Sequence, residues 1–262
     1  MSLAKRVAVV TGASSGIGWA LGKELAARGW KVGVLARRRD PLEQLVKEIE
    51  DAGGTAALAP ADVSDRAQTL EAIQELRERL GPVDLLVANA GVGAPTLVDP
   101  INIGDVEKMI RVNLLGTIYT IEAVLPEMLQ RGAGHIAAVS SMASYKGLPG
   151  ESAYCASKAA VNVYLEGLRI QLRDRGIAVT TICPGFVKTP MTAVNEFHMP
   201  FVLEAAAAAR RIAGALERKV KVYSFPKRMS LLMKLTACLP DWMIARAMSK
   251  YNEKPPMPPG PL

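Results

Sequence analysis

Seven short apolar runs punctuate the chain at regular intervals, and this rhythm restricts the fold more than any other feature. They are "RVAVVTG" (6–12), "KVGVLAR" (31–37), "AALAPAD" (56–62), "VDLLVANAG" (83–91), "HIAAVSS" (135–141), "AVTTICPG" (178–185) and "KVKVYSFP" (219–226). The runs are apolar nearly throughout rather than alternating, as strands buried on both faces are. Between them lie stretches with a helical period and a charged face, such as "LEQLVKEIEDAGG" and "TLEAIQELRERLG". Gly29, Gly53, Gly81, Gly132 and Gly176 follow such stretches, where glycine commonly ends a helix. Strands alternating with helices predict an α/β fold: one doubly wound, seven-stranded parallel sheet with helices on both faces.

No linker splits this rhythm, so residues 1–226 read as one dinucleotide-binding and catalytic domain. Residues 227–251 read as an amphipathic helical extension of the same domain, broken into two short helices at Pro240. The proline-rich end, 252–262, is expected to be disordered. Three scattered cysteines, Cys155, Cys183 and Cys238, are too few for a disulfide framework or a zinc site. They fit a reducing, cytoplasmic setting. There is no apolar run long enough to span a bilayer, and the opening "MSLAKRVAVVTGASSG" reads as a first strand rather than a signal segment.

The formal net charge is +7. Residues 205–262 hold eleven basic and three acidic side chains, while the rest of the chain is close to neutral. A basic patch can attract nucleic acid, anionic lipid or an acidic ligand. Aromatic residues are not interleaved with the basic ones, which argues against nucleic acid.

Directly after the first run comes "TGASSGIG", Thr11 to Gly18. A strand, a glycine turn and a helix start in that order form a dinucleotide site. The glycines Gly12, Gly16 and Gly18 let backbone approach a pyrophosphate, and the first-turn N–H groups of the helix, with Ser14 and Ser15, face it. The second strand ends at "ARRRD", where a site for NAD would place a carboxylate on the ribose. Arg37, Arg38 and Arg39 stand there instead, and guanidinium groups suit a 2′-phosphate. Asp40 is the rival carboxylate, but "DPLE" reads as a helix cap with proline at the first helical position. The expectation is therefore NADP(H) in preference to NAD(H).

"AYCASK" places Tyr154 and Lys158 four residues apart, on one face of a helix. An ammonium beside a phenol favours the phenolate, so the pair can serve as an acid/base. Alone, such a pair is common in helices and carries little weight.

The ordered set of motifs carries more. "TGASSGIG" at 11–18, Asp62-Val63, "NAG" at 89–91, Asn113 in "VNLLG", "SS" at 140–141, "YCASK" at 154–158 and "PGFVKTPM" at 184–191 together resemble the short-chain dehydrogenase/reductase family, over residues 5–191. The resemblance implies a Rossmann-type fold and a catalytic set of Ser141, Tyr154, Lys158 and Asn113. Tyr154 would be the acid/base, and Lys158 would lower its pKa and hold the nicotinamide ribose. Ser141, with Ser140 as competitor, would bond the substrate oxygen, and Asn113 would support a proton-relaying water. For the cofactor it implies Ile17 behind the glycine turn, Asp62 and Val63 at the adenine, and Asn89 holding the central strands. Ala90 and Gly91 would lie beside the cofactor, with Gly91 leaving it room. Pro184, Gly185, Val187 and Thr189 would line the nicotinamide side. No metal is implied, and His135 and His198 lack a metal-ligand neighbourhood.

The function expected is an NADP(H)-dependent carbonyl reductase, reversible as an alcohol dehydrogenase, acting on a small apolar ketone or aldehyde. The rival is a regulator or scaffold that binds the dinucleotide without catalysis. The chain lacks the glycine-rich end by which many family members build tetramers, so the resemblance implies a homodimer through the helices after Asn113 and around Tyr154. Three readings stand for 227–251, "KRMSLLMKLTACLPDWMIARAMSKY": a cover for the core or a dimer partner, a lid over an apolar pocket, or a membrane-surface segment with basic and apolar faces.

Overall fold

The computed structural model describes residues 6–193 and 199–249. In chain order the elements are β1 (Val7–Thr11), α1 (Gly16–Ala27), β2 (Lys31–Ala36), α2 (Arg39–Asp51), β3 (Thr55–Pro60), α3 (Arg66–Leu80) and β4 (Val83–Ala88). Next come α4 (Ile103–Met109), a π-helical turn (Ile110–Leu115), α5 (Gly116–Arg131), β5 (Gly134–Val139), a 3-10 turn (Met142–Tyr145), α6 (Ser152–Gln171) and β6 (Ile177–Pro184). The last part holds β7 (Val187–Lys188), α7 (Pro190–Ala193), β8 (Leu203–Glu204), α8 (Ala205–Glu217), β9 (Val222–Phe225), α9 (Lys227–Ala237) and α10 (Asp241–Ala247).

The seven apolar runs all become strands of one sheet, in the order β3-β2-β1-β4-β5-β6-β9, and every pairing is parallel. β7 and β8 form a separate two-stranded pair, which run-length reasoning does not reach. Both faces of the sheet are covered. On one side Leu76, Ile121 and Leu165, from α3, α5 and α6, pack on the strands. On the other side Leu21, Leu45 and Ile212, from α1, α2 and α8, do so. Each such side chain contributes about 1.5–3 kcal/mol by leaving water. A strand with apolar residues on both faces earns that twice per residue pair, which is why the runs do not alternate. The strand order reverses direction between β1 and β4, and ligands of such sheets bind at the carboxyl ends of the strands on either side of that point.

Two expectations are corrected locally. The second helix begins at Arg39, with Arg38 in the capping position, and no side chain caps it. Asp40 lies inside the first turn, where its charge complements the helix dipole without capping it. The expected breaks elsewhere hold: α9 and α10 are separated at Pro240. The proline-rich 252–262 segment and His198 lie outside the described residues.

His135 enters β5, as its neighbours imply, and its Nε2 lies 2.8 Å from Thr180 Oγ1. Burial, with help from Lys219, holds the imidazole down at about 4. The unfolded imidazole binds its proton near pH 6.5, so between about 6.5 and 4 the unfolded chain takes up protons that the folded chain refuses. Stability from this group is complete above pH 6.5 and is lost as pH falls. The loss approaches about 3 kcal/mol near pH 4, at 1.36 kcal/mol per unit. Urea unfolding at pH 7 and pH 4.5 should show a smaller acid loss in His135→Gln than in the parent. Equal losses in the two would contradict the assignment.

Candidate functional site

The seam between β1 and β4 is held by Thr11 and Asn89. Thr11 Oγ1 accepts the N–H groups of Asn89 and Ala90, at 3.0 and 3.1 Å. Asn89 Nδ2 donates back to the carbonyl oxygens of Thr11 and Gly12, at 2.9 and 3.3 Å. The glycine turn is therefore pinned against the loop after β4. A Cβ on Gly12 would lie 2.7 Å from Ala90 Cα, and one on Gly18 would lie 2.4 Å from the Gly12 carbonyl oxygen. Gly16 has φ +58° and faces Thr189, whose Cγ2 would lie 2.9 Å from a Cβ there. No side chain caps α1 behind Ser15, so its first-turn N–H groups point into this cradle uncommitted. Ile17 packs from behind on the core.

Arg37, Arg38 and Asp62 gather beside the cradle. Arg38 Nη2 donates to Ser14 Oγ at 3.0 Å, and Arg37 Nη1 lies 3.9 Å from Asp62 Oδ2. Asp62 Oδ1 accepts the N–H and hydroxyl of Ser64, at 2.9 and 2.7 Å. Val63 is buried and meets the start of α5 at Gly116. Glycines that a Cβ would crowd, free N–H groups and two guanidinium groups together fit a nicotinamide dinucleotide.

At the other end of the same crevice, Ser141, Tyr154 and Lys158 converge. Lys158 is 4% exposed, and its ammonium donates to the Val139 carbonyl at 2.9 Å. It lies 5.9 Å from the centre of the Tyr154 ring. A Cβ on Gly91 would stand 3.2 Å from Lys158 Nζ and 3.3 Å from Asn113 Oδ1, so this glycine keeps the ammonium's surroundings open. Asn113 sits in the π turn. Its amide accepts from Val92 N and donates to Val92 O and Ser157 Oγ. A π turn inside a helix often marks a functional position. Ser140 is committed elsewhere, donating to the Lys158 carbonyl at 3.0 Å, whereas Ser141 acts on the phenol oxygen of Tyr154. The geometry thus separates the two serines.

Burial dominates the protonation of the pair. Burial pushes the Tyr154 phenol up to about 12; Ser141 pulls it down, and the charge of Glu151 adds to the rise. Burial brings Lys158 itself down to about 8. Spacing placed the two on one face, and one of the three N–H donors of the ammonium goes to the Val139 carbonyl.

Pro184 is buried at the end of β6, and Val187 is 3% exposed. Gly185 meets Met229 of α9 and Met142, whose sulfur atoms would lie 3.1 and 3.6 Å from a Cβ there. Lys146, in the loop after the 3-10 turn, donates to the Leu239 carbonyl at 3.2 Å and pairs with Asp241 at 3.0 Å. The inner face of 227–247 therefore packs on the loops after β5 and β6, at Met142, Lys146 and Gly185. Thr11, Gly93 and Glu151 were given no role by the motifs, although Thr11 begins one. A Cβ on Gly93 would touch the Tyr154 ring at 3.7 Å. Glu151 precedes α6 with no side-chain cap bond. The only cue to it in the sequence was a carboxylate three residues before Tyr154.

A doubly wound parallel sheet, a glycine cradle at its switch point and a serine–tyrosine–lysine cluster across the crevice describe a nicotinamide-dependent oxidoreductase. The family model for short chain dehydrogenases matches residues 6–198, and the chain belongs to that family. It is similar to an uncharacterized oxidoreductase of Myxococcus xanthus, 41% identical over 90% of this chain and 93% of the relative. A crystal structure of a 3-ketoacyl-ACP reductase from Sinorhizobium meliloti superposes with TM-score 0.78 at 32% identity, covering 86% of this chain and 99% of that one. An alcohol dehydrogenase from Thermococcus sibiricus, complexed with 5-hydroxy-NADP, gives TM-score 0.76 at 28% identity, covering 84% and 95%.

Burial raises the Glu151 carboxyl to about 7. Because the folded value lies above the ordinary 4.5, the stability this group contributes is present below pH 4.5 and lost as pH rises through 7. Above pH 7 its negative charge also opposes the Tyr154 phenolate. Glu151→Gln should remove that loss of stability at pH 8 and, if Tyr154 serves as the base, shift the ascending limb of alcohol oxidation to lower pH. An unmoved limb in the pH–rate profile would contradict the coupling.

Proposed function

We propose that the chain is an NADP(H)-dependent oxidoreductase that interconverts a small apolar ketone or aldehyde and its alcohol, with Tyr154 as acid/base. The observation that carries this is the convergence of Ser141, Tyr154 and Lys158 at one end of a crevice whose other end holds the glycine cradle, Arg37 and Arg38. When bound, the reduced nicotinamide supplies the hydride. As negative charge grows on the carbonyl oxygen, Ser141 stabilises it and Tyr154 donates a proton to it. Burial holds the phenol up at about 12, so it carries its proton at neutral pH. Lys158, at about 8, keeps most of its charge at neutral pH and steadies the ribose and the phenolate that forms. Asn113 holds the loop at Val92 against α6 and supports the water that resupplies the proton.

Arg38 beside Ser14 and Arg37 beside Asp62 favour a 2′-phosphate, since a guanidinium meets a phosphate with two parallel hydrogen bonds. Met142, Met229 and Gly185 support an apolar substrate. The same reading pairs two copies through α5 and α6, whose outer faces expose Leu129, Val163 and Ile170.

The test is oxidation of NADPH and of NADH against a panel of apolar ketones, aldehydes and diketones. Turnover should favour NADPH. Tyr154→Phe should lower kcat by about 10²–10⁴-fold while NADPH binding persists. Replacing Arg37 and Arg38 by Ser should raise the KM for NADPH about tenfold or more and leave that for NADH little changed. Faster turnover with NADH in the parent would overturn the cofactor assignment. Activity that survives in Tyr154→Phe would overturn the acid/base.

A further inference from the structure

Twelve of the sixteen large apolar side chains exposed among the described residues lie in segments that follow β4, β6 and β9, around the carboxyl edge of the sheet where the crevice opens. Half of those twelve belong to α9, α10 and the turn between them. α9 is apolar on two faces. Met229, on the inner face, packs on Gly185. The outer face sets Leu231, Leu235 and Leu239 at four-residue spacing, 62%, 59% and 37% exposed, with Leu232 beside them and Trp242 of α10 at 69%. A helix apolar on both faces is ordinarily buried on both. Among the described residues, nothing covers this outer face, and an exposed apolar patch of this kind marks an interaction site.

The charges around the patch indicate what covers it. Lys227, Arg228, Lys234 and Arg246 are all exposed at its margin. Asp241, the one acid within α9 and α10, is tied to Lys146. A second copy meeting this face across a two-fold axis would set the same four cations against themselves. An anionic lipid surface instead complements them, while the leucines and the tryptophan enter the headgroup boundary. We propose that the outer face of α9 and α10 docks the chain on an anionic membrane, with the mouth of the crevice toward the lipid. The docking stands on exposure and charge and does not depend on the reaction proposed above.

The full chain is mixed with vesicles of phosphatidylcholine alone or with added phosphatidylserine. Binding is read by sedimentation and by a blue shift of Trp242 emission, with Trp242→Phe as the spectral control. The expected result is binding that needs phosphatidylserine and weakens with salt. Leu231→Ser with Leu235→Ser should weaken it about tenfold or more. Lys227→Ser with Arg228→Ser should weaken it about 30-fold on anionic vesicles. Both double variants should keep the parent's circular dichroism spectrum and its affinity for the dinucleotide, which shows that they fold. Absence of binding to anionic vesicles would overturn the proposal, as would equal binding by the leucine variant. A leucine variant that falls to a smaller assembly while vesicle binding is unchanged would assign the face to a second copy and overturn it too.

Discussion

The hydrogen bonds between Asn89 and the β1 turn are the constraint on which the site depends. One side-chain amide holds the carbonyl groups of Thr11 and Gly12, and one hydroxyl holds the N–H groups of Asn89 and Ala90. Strand pairing alone ends at Ala88, before the chain reaches the crevice. These four bonds carry the order one step further, past the last ladder pair. They fix how closely the glycine turn approaches the loop after β4, and that spacing decides which residues must lack a side chain. The same loop then runs through Gly91 to Val92, whose N–H and carbonyl are both taken by Asn113. Asn113 bonds in turn to Ser157 on α6, next to Lys158. Hydrogen bonds and the short backbone stretch from Ala90 to Val92 thus join the cradle at one end to the cluster of Ser141, Tyr154 and Lys158 at the other.

Burial sets the electrostatics of that cluster. Tyr154 and Lys158 are both driven toward their neutral forms, the phenol upward and the ammonium downward. The protein offsets the cost for the lysine with the Val139 carbonyl and leaves the tyrosine only Ser141. Burial therefore favours a proton on the phenol.

Much of this was legible in the sequence, for reasons that can be named. Strands buried on both faces must be apolar along their length, so each of the seven appears as an uninterrupted run. The glycine cradle was legible because the close approaches at Gly12 and Gly18 exclude every larger residue. What escaped was whatever depends on distance rather than pattern. β7 and β8 are two residues each and leave no run. Spacing put Tyr154 and Lys158 on one face but could not show that the ammonium turns to Val139. The motif "DPLE" fits a cap with Pro41 as the first helical residue, yet the helix begins two residues earlier, at Arg39, because the helical geometry is already set at the end of the arginine run. Glu151 carries no motif, and its environment is known only once α6 is packed.

The order of the site along the chain has a consequence for synthesis. The glycine turn, Arg37, Arg38, Asp62 and Asn89 all lie before residue 92, and Ser141, Tyr154 and Lys158 follow in the middle. The wall formed by Gly185 and Met229 comes last, on the segment that leaves β9 directly into α9. A growing polypeptide therefore makes the glycine turn and its neighbouring arginines first, then the Tyr154 cluster, and only afterwards Thr189, which closes on Gly16, and Met229, which closes on Gly185. Changes beyond β9 can therefore reshape the wall at Gly185 and Met229 while leaving the glycine turn and the Tyr154 cluster as they were.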